Sequence, residues 1–234
     1  MAHRILITGG SGGFGKATAR LFADRGERVW ITGRDQARLE SAADEIGAEG
    51  WIRADAGSCE DWQRVHERLM TEMDGLDLLV NNAGGGVNLV PFAEMSVEDI
   101  EASIRINLLG TMYGCRVFAP DLIRQGGGTI INVSSVCARH GWPTYTAYSA
   151  AKAGVLEFSK ALYAELRPHG IRVTTLIPAA GATNFSVNAN EVPSHHELQA
   201  EDVAQAIADV FYLPRHVVIE DMTVWGIDQE ILPF

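Results

Sequence analysis

The sequence predicts an α/β fold, a doubly wound parallel sheet of about seven strands with helices on both faces. Three observations carry this. Short apolar runs bounded by turn residues alternate with longer stretches of helical period along the chain. The runs are dense in Val, Ile and Leu without polar alternation, as strands covered on both faces require. A glycine-rich turn, "TGGSGGFG", stands between the first run and the first helical pattern.

The elements follow in order. RILIT (Arg4–Thr8) is the first strand, then comes a helix from Lys16 to Asp24 and a strand at RVWIT. A helix over Asp35–Ile46 leads to a short strand at Trp51–Arg53, and a helix over Ser58–Met73 leads to the apolar run LDLLV. Ser96 with Asp99 three positions on is a helix start, and the helical period then continues to Ile123. GTIINVS is a strand, Ala147–Arg167 a helix stopped by Pro168 and Gly170, and IRVTTLI the next strand. A helix over Glu201–Leu213 and a strand near VVIEDMTVW complete the pattern. The stretch Asn184–Gln199 has no period and is rich in Asn, Ser and His, which predicts a flap over a site around residues 184–199. No repeat or linker divides the chain, so residues 1–234 are expected to form a single domain.

With 234 residues, 47% of them hydrophobic, the chain is long enough for a full core. Its formal net charge of −11 argues against a nucleic-acid or membrane-surface partner, because both select a basic face. Cys59, Cys115 and Cys137 are odd in number and lack CxxC spacing, so neither a zinc site nor a disulfide framework is expected. MAHRILITGG runs straight into the first strand, so no secretory leader is expected, and no apolar run reaches the ~20 residues of a membrane span. A reducing cytoplasm is the expected compartment. His195 and His196 are adjacent but have no third ligand in their pattern, so no metal site is expected.

Gly9, Gly13 and Gly15 have the spacing GxxxGxG directly before a helix. Glycines there let the backbone turn sharply and approach a pyrophosphate, whose charge faces the helix N-terminus. A methyltransferase on the same sheet is the alternative at this point. In dinucleotide folds a residue about 20 positions on reads the ribose, an acid selecting a free 2′-hydroxyl and an arginine a 2′-phosphate. Here the second strand ends WITGRDQ, and Arg34 offers a guanidinium fork, which favours NADP(H). Asp35 beside it, either a helix cap or a ribose ligand, keeps NAD(H) possible.

In "TAYSAAKAG", Tyr148 and Lys152 are one helical turn apart, so their side chains share a face. The plain alternative is a half-buried tyrosine beside a solvated lysine. The functional reading is that Lys152 lowers the phenol pKa. Bringing it from about 10 to about 7 takes roughly 4 kcal/mol, which one ammonium at ~4 Å offers only before desolvation is subtracted. The positive ring of an oxidised nicotinamide supplies the missing charge.

With these motifs in hand, the chain resembles the short-chain dehydrogenase/reductase family over nearly its whole length. The likeness rests on TGxxxGxG, on Asp55 in RADAG, on NNAG at Asn81–Gly84, on Asn107 in INLLGT, and on Ser135, Tyr148 and Lys152. Ser135 rather than Ser134 is selected because the family places its serine thirteen residues before the tyrosine. The resemblance implies a Rossmann-like sheet and hydride transfer between a nicotinamide and a small carbonyl or alcohol. It implies that Tyr148 is the general acid or base, that Ser135 holds the substrate oxygen, that Lys152 binds ribose and tunes Tyr148, and that Asn107 anchors a water relay. Cofactor contacts are implied from Thr8, Gly9, Ser11, Gly13, Phe14 and Gly15, and from Arg34, Asp55 and Ala56. Further contacts are implied from Asn82, Ala83, Gly84, Tyr148, Lys152, Pro178, Gly181 and Thr183. Structural roles compete at single positions: Ser135 as a strand-end cap, Asn107 as a partner of helix backbone, NNAG as a turn.

The chain departs from the family where PGxVxT becomes PAAGAT. Ala179 takes the glycine position and Gly181 the β-branched one, which predicts a looser grip on the cofactor or a less ordered flap. TVWGIDQ, where the family often has proline at Gly226, is expected to be remote from the chemistry and to pack. Substrate contacts are expected from Cys137, Arg139, His140, Trp142 and Tyr145, with Arg139 or His140 meeting a carboxylate and Trp142 and Tyr145 forming a wall; packing is the alternative for each. The short flap leans towards a small ketone, aldehyde or hydroxy acid. A 3-oxoacyl thioester reductase and a non-catalytic NAD(P)-sensing protein are the competing functions, the second weakened by the intact Ser135, Tyr148 and Lys152 set. The family also implies a homotetramer or homodimer, with the ILPF tail at an interface or on its own core.

Overall fold

The computed structural model describes residues 1–86, 88–181 and 198–229. Among them, seven parallel strands form one sheet: β1 (Arg4–Thr8), β2 (Arg28–Gly33), β3 (Gly50–Arg53), β4 (Leu78–Asn81), β5 (Gly128–Val133), β6 (Ile171–Pro178) and β7 (Asp221–Val224). Their order is β3-β2-β1-β4-β5-β6-β7. The chain winds outward from β1 in one direction and, after β3, from β4 in the other, so the carboxyl ends of β1 and β4 flank a crevice.

The helices are α1 (Gly13–Asp24), α2 (Gln36–Ile46), α3 (Cys59–Met73), α4 (Val97–Ile104), α5 (Gly110–Gln125), α6 (Thr146–Leu166) and α7 (Ala200–Phe211). Strands β1 to β6 each feed two cores, which is why their apolar residues do not alternate strictly with polar ones, whereas β7, at the sheet edge, packs Met222 and Val224 on one core and alternates them with Asp221 and Thr223. Ile5 and Ile7 of β1 pack on one face with Phe22 of α1 and Ile207 of α7. Leu6 points the other way, towards Trp62 of α3 and Phe118 of α5. Phe22 and Phe118 are fully buried, each worth about 3 kcal/mol of hydrophobic stabilisation.

Side-chain caps set several helix starts. Asp35 accepts from the amide of Arg38, Ser58 from that of Asp61, and Ser96 from that of Asp99, at 3.1, 3.2 and 3.1 Å. The helix expected from Ser96 to Ile123 is interrupted by one π-helical turn, Arg105–Leu109. Asn107 explains it: Nδ2 donates to the carbonyl of Ser103 at 3.0 Å, occupying an acceptor that the α-helical ladder would use. Of the expected flap, Leu198 and Gln199 are described. Leu198 bridges to Gly181, and Gln199 caps α7. Residues 184–197 of the flap, with His195 and His196, lie outside the described residues, as do Thr183 and the ILPF tail.

Candidate active site

A cavity of about 840 Å³ opens where β1 and β4 diverge. At one end the chain leaves β1 through Gly9, whose φ of 68° suits glycine, and enters α1 at Gly13. A Cβ on Gly15 would stand 2.3 Å from the Gly9 carbonyl and 2.5 Å from Nδ2 of Asn82, so only glycine allows this close approach of turn and helix. The N-cap of α1 makes no side-chain hydrogen bond and its first turn holds no acid, which leaves the helix N-terminus open to an anion. Asn82 and Ala83 are held from below, their amides donating to Oγ1 of Thr8 at 3.0 and 2.9 Å. Beyond the loop, Arg34 and Arg38 line the cavity, with Asp55 and Ala56 beside them. These residues fit a dinucleotide: a backbone cradle for two phosphates and a pair of guanidinium groups about 20 residues on. Asp35, whose carboxylate caps α2, does not line the cavity, and Asn81 braces the sheet instead by donating to Oδ1 of Asn132 at 2.8 Å.

At the centre, α6 carries Tyr148 and Lys152 on its buried face. Tyr148 is hydrogen-bonded to Ser135, which follows β5. Ser135 also caps the short turn Val136–Ala138, its Oγ accepting from the amide of Cys137 at 3.2 Å. The neighbouring Ser134 is turned away and donates to the carbonyl of Lys152 at 2.8 Å. Lys152 is buried, its Nζ donating to the carbonyl of Val133 at 2.9 Å and lying 5.7 Å from the Tyr148 ring centre. Asn107 holds Gly85 at both ends, Oδ1 accepting from its amide and Nδ2 donating to its carbonyl, each at 2.9 Å. A Cβ on Gly84 would meet Oδ1 of Asn107 at 2.7 Å and Nζ of Lys152 at 3.3 Å, so Gly84 lies between the two.

One lysine is expected to be marginal against desolvation, and the Tyr148 pKa is raised, by burial first and by the nearby Cys137 second, against the hydrogen bond with Ser135. Burial also brings Lys152 down to about 8.

The structure gathers Gly9, Ser11, Gly13, Phe14, Arg34, Asp55, Ala56, Asn82, Ala83, Gly84, Ser135, Tyr148, Lys152, Pro178 and Gly181 around the one cavity. Thr8, Gly15 and Asn107 support it from behind. Gly181 has a physical reason: a Cβ there would stand 2.3 Å from Cζ of Phe14, so the large residue in the loop requires the small one after β6. Ala179 extends the pairing with β7, its amide donating to the carbonyl of Val224 at 2.9 Å.

On the substrate side Cys137, Trp142 and Tyr145 line the cavity, whereas Arg139 and His140 do not. Arg139 donates to Asp221 at 2.7 Å and Thr223 at 2.9 Å on β7, and His140 contacts Trp142 and Trp225 edge-on. The turn between Trp142 and Tyr145 holds Thr144 at φ 69°, a strain of about 1–3 kcal/mol for a β-branched residue. TVWGIDQ is not remote: Trp225, Asp228 and Gln229 reach the cavity because β7 ends beside β6. Sequence reasoning missed these three and Arg38. The signal for Arg38 was its position one turn after Arg34. Among the described residues no group of His, Cys, Asp and Glu is placed to hold a metal, and no helix is long and apolar enough to cross a membrane.

The profile of the short chain dehydrogenase family matches residues 3–193. The chain belongs to that family. It is an oxidoreductase that acts on hydroxyl groups or the corresponding carbonyls. Among relatives of this short-chain dehydrogenase, serine 3-dehydrogenase of Agrobacterium fabrum is 31% identical, covering 100% of this chain and 98% of its own. NADP-dependent 3-hydroxy acid dehydrogenase YdfG of Escherichia coli is 32% identical over 96% of this chain and 95% of its own. Among solved structures, the closed form of serine dehydrogenase complexed with NADP+ superposes with a TM-score of 0.90 at 32% identity, covering 98% and 97% of the two chains.

Proposed function

We propose that this oxidoreductase uses NADP(H) and interconverts a small carbonyl compound and its alcohol. The observation that carries it is one cavity with paired arginines at one end and the hydrogen-bonded Ser135 and Tyr148 beside buried Lys152 at its centre. When bound, the nicotinamide supplies or accepts the hydride. The open N-terminus of α1, with Gly9, Ser11, Gly13 and Phe14, would hold the pyrophosphate, and Arg34 and Arg38 would hold the 2′-phosphate. Asp55 and Ala56 flank the adenine. Asn82, Ala83, Gly84, Pro178 and Gly181 line the path to the nicotinamide, with Thr183 assigned there by family likeness. NADP dependence is also a property of YdfG, as its name states.

In reduction Tyr148 gives its proton to the carbonyl oxygen, and in oxidation it takes the proton back. Ser135 donates a hydrogen bond to the same oxygen, a bond that strengthens as charge develops there. Lys152 holds the ribose, and its charge offsets the tyrosinate left after proton donation. Asn107 fixes the backbone between itself and Lys152 and leads the proton relay outward. A homotetramer or homodimer is supported by the exposed Phe92 and Val97 and by the apolar groove of Ile100, Ile104 and Leu109. A cytoplasmic setting is supported by three free cysteines.

The test is NADPH and NADH consumption by the purified protein over a panel of small ketones, aldehydes and diketones, with Tyr148→Phe in parallel. Tyr148→Phe is expected to lower kcat by about a thousandfold while NADPH binding stays nearly unchanged. Near-normal turnover in that variant would remove Tyr148 as the acid.

A further inference from the structure

The charge map of the cavity narrows the substrate class, an inference that rests on the oxidoreductase reading above. The cations lie at the wrong end for a substrate. Arg34 and Arg38 stand beyond β2, whereas the substrate end, beyond β6 and β7, is lined by Trp142, Tyr145, Trp225, Asp228 and Gln229. Among the described residues lining that end, the charged side chain is an anion, Asp228. Arg139, the nearest sequence candidate for an acid, is committed to Asp221 and Thr223 on β7. Gln229 is committed too, donating to the carbonyl of Ala180 and accepting from the amide of Gly226, both at 2.7 Å.

A carboxylate entering this end gives up its hydration without a guanidinium or ammonium to replace it, and it meets Asp228. A flat apolar group loses nothing there. His140 braces Trp142 and Trp225 edge-on at 5.8 and 5.9 Å, and Tyr145 meets Tyr148 edge-on at 6.0 Å, so the aromatic walls are fixed before a ligand arrives. We propose that the substrate is an uncharged ketone or secondary alcohol with a flat apolar flank seated against Trp142, Tyr145 and Trp225, and that hydroxy acids, which name several relatives, are disfavoured. The step balances: NADPH would supply the hydride to the ketone carbon and be left as NADP+, the oxygen would take the Tyr148 proton, and a solvent proton would restore the phenol.

Matched probes test it. Methyl 4-acetylbenzoate and 4-acetylbenzoate carry the same reducible carbonyl and differ by one charge. NADPH-driven kcat/KM is expected to favour the ester by about 30-fold or more. Asp228→Lys is expected to narrow the ester-to-acid ratio of kcat/KM about tenfold. A second readout needs no turnover: the ester should quench tryptophan fluorescence of the NADP+-loaded protein, and Trp225→Ala should weaken that binding about tenfold. An acid turned over within about threefold of the ester, or binding indifferent to Trp225→Ala, overturns the substrate class. So does silence with both probes while NADPH still binds. Failure to bind NADPH overturns the NADP(H) reading instead, and turnover that survives Tyr148→Phe removes Tyr148 as the acid and leaves the substrate class to the matched probes.

Discussion

Burial pulls Tyr148 and Lys152 the same way, towards neutrality, and this sets the pH behaviour of the site. The phenol keeps its proton across the neutral range because burial raises its pKa, so the acid for reduction is always loaded. Lys152, brought down to about 8, is an ammonium below that pH and an amine above it. Since its charge supports the tyrosinate left by proton donation, kcat/KM for NADPH-driven reduction is expected to be flat below pH about 8 and to fall above it. Lys152→Arg, which stays charged, should remove the falling limb. A wild-type profile without that limb would take Lys152 out of the role. At the far end, the proposed 2′-phosphate would meet both Arg34 and Arg38, each contact worth about 1.5–3 kcal/mol. Arg38→Leu should therefore weaken NADPH binding about tenfold or more and leave NADH unchanged, measured by fluorescence titration; Arg34→Asp should shift preference to NADH. Tyr148, Lys152 and Ser135 were legible in the sequence because one helical turn and one fixed interval place them. Arg38 was not, since an arginine in the first turn of a surface helix looks like any solvated side chain.

Helices and strands were legible where a local rule acts. Asp35, Ser58 and Ser96 start their helices because a short acceptor side chain meets a free amide three residues on, and that signal is written in the chain. The π turn at Arg105–Leu109 was hidden, because an Asn inside a helical pattern does not show that its side chain takes the carbonyl of Ser103 until its other contacts, to Gly85 22 residues away, are seen to hold it there. The Phe14 and Gly181 contact is of the same long-range kind. PAAGAT reads as a weakened family motif until Phe14 is seen in the space that a β-branched residue at 181 would fill. Gly181→Val is therefore expected to weaken NADPH binding about tenfold, and Phe14→Ala to recover most of the loss, with a coupling of about 1–2 kcal/mol in a double-mutant cycle. Additive effects would mean that the two positions act independently and that Gly181 is small for another reason.

At the scale of the whole molecule, the substrate wall depends on β7, and β7 depends on what closes the opposite end of the sheet. Strand order decides this and is not local: Trp225 and Gln229 reach a cavity built 140 or more positions earlier around Gly84 only because β7 lies beside β6. At the amino end of β6, Arg172 gathers the chain between α7 and β7. Its guanidinium donates to Phe211 at 2.7 Å and Leu213 at 3.1 Å, the carbonyls at the end of α7, and to Oγ1 of Thr129 on β5 at 2.8 Å. A cation at a helix carboxyl end is favoured by the dipole as well as by the hydrogen bonds. Burial lowers its pKa, with Arg215 adding to the effect, but an arginine so placed keeps its charge. Arg172→Met would leave those carbonyls unpaired at a cost of about 2–3 kcal/mol. For a chain of this size that lowers Tm by roughly 4–10 °C, read by a thermal melt of the purified protein. Because Arg172 is at the far end of β6 from Pro178, the affinity for NADPH at low temperature should be preserved. Arg172→Lys, with its charge intact but its fork lost, should fall between the two. A melt unchanged in Arg172→Met would mean that water satisfies the end of α7, and that packing of the two apolar faces alone holds β7 against the sheet.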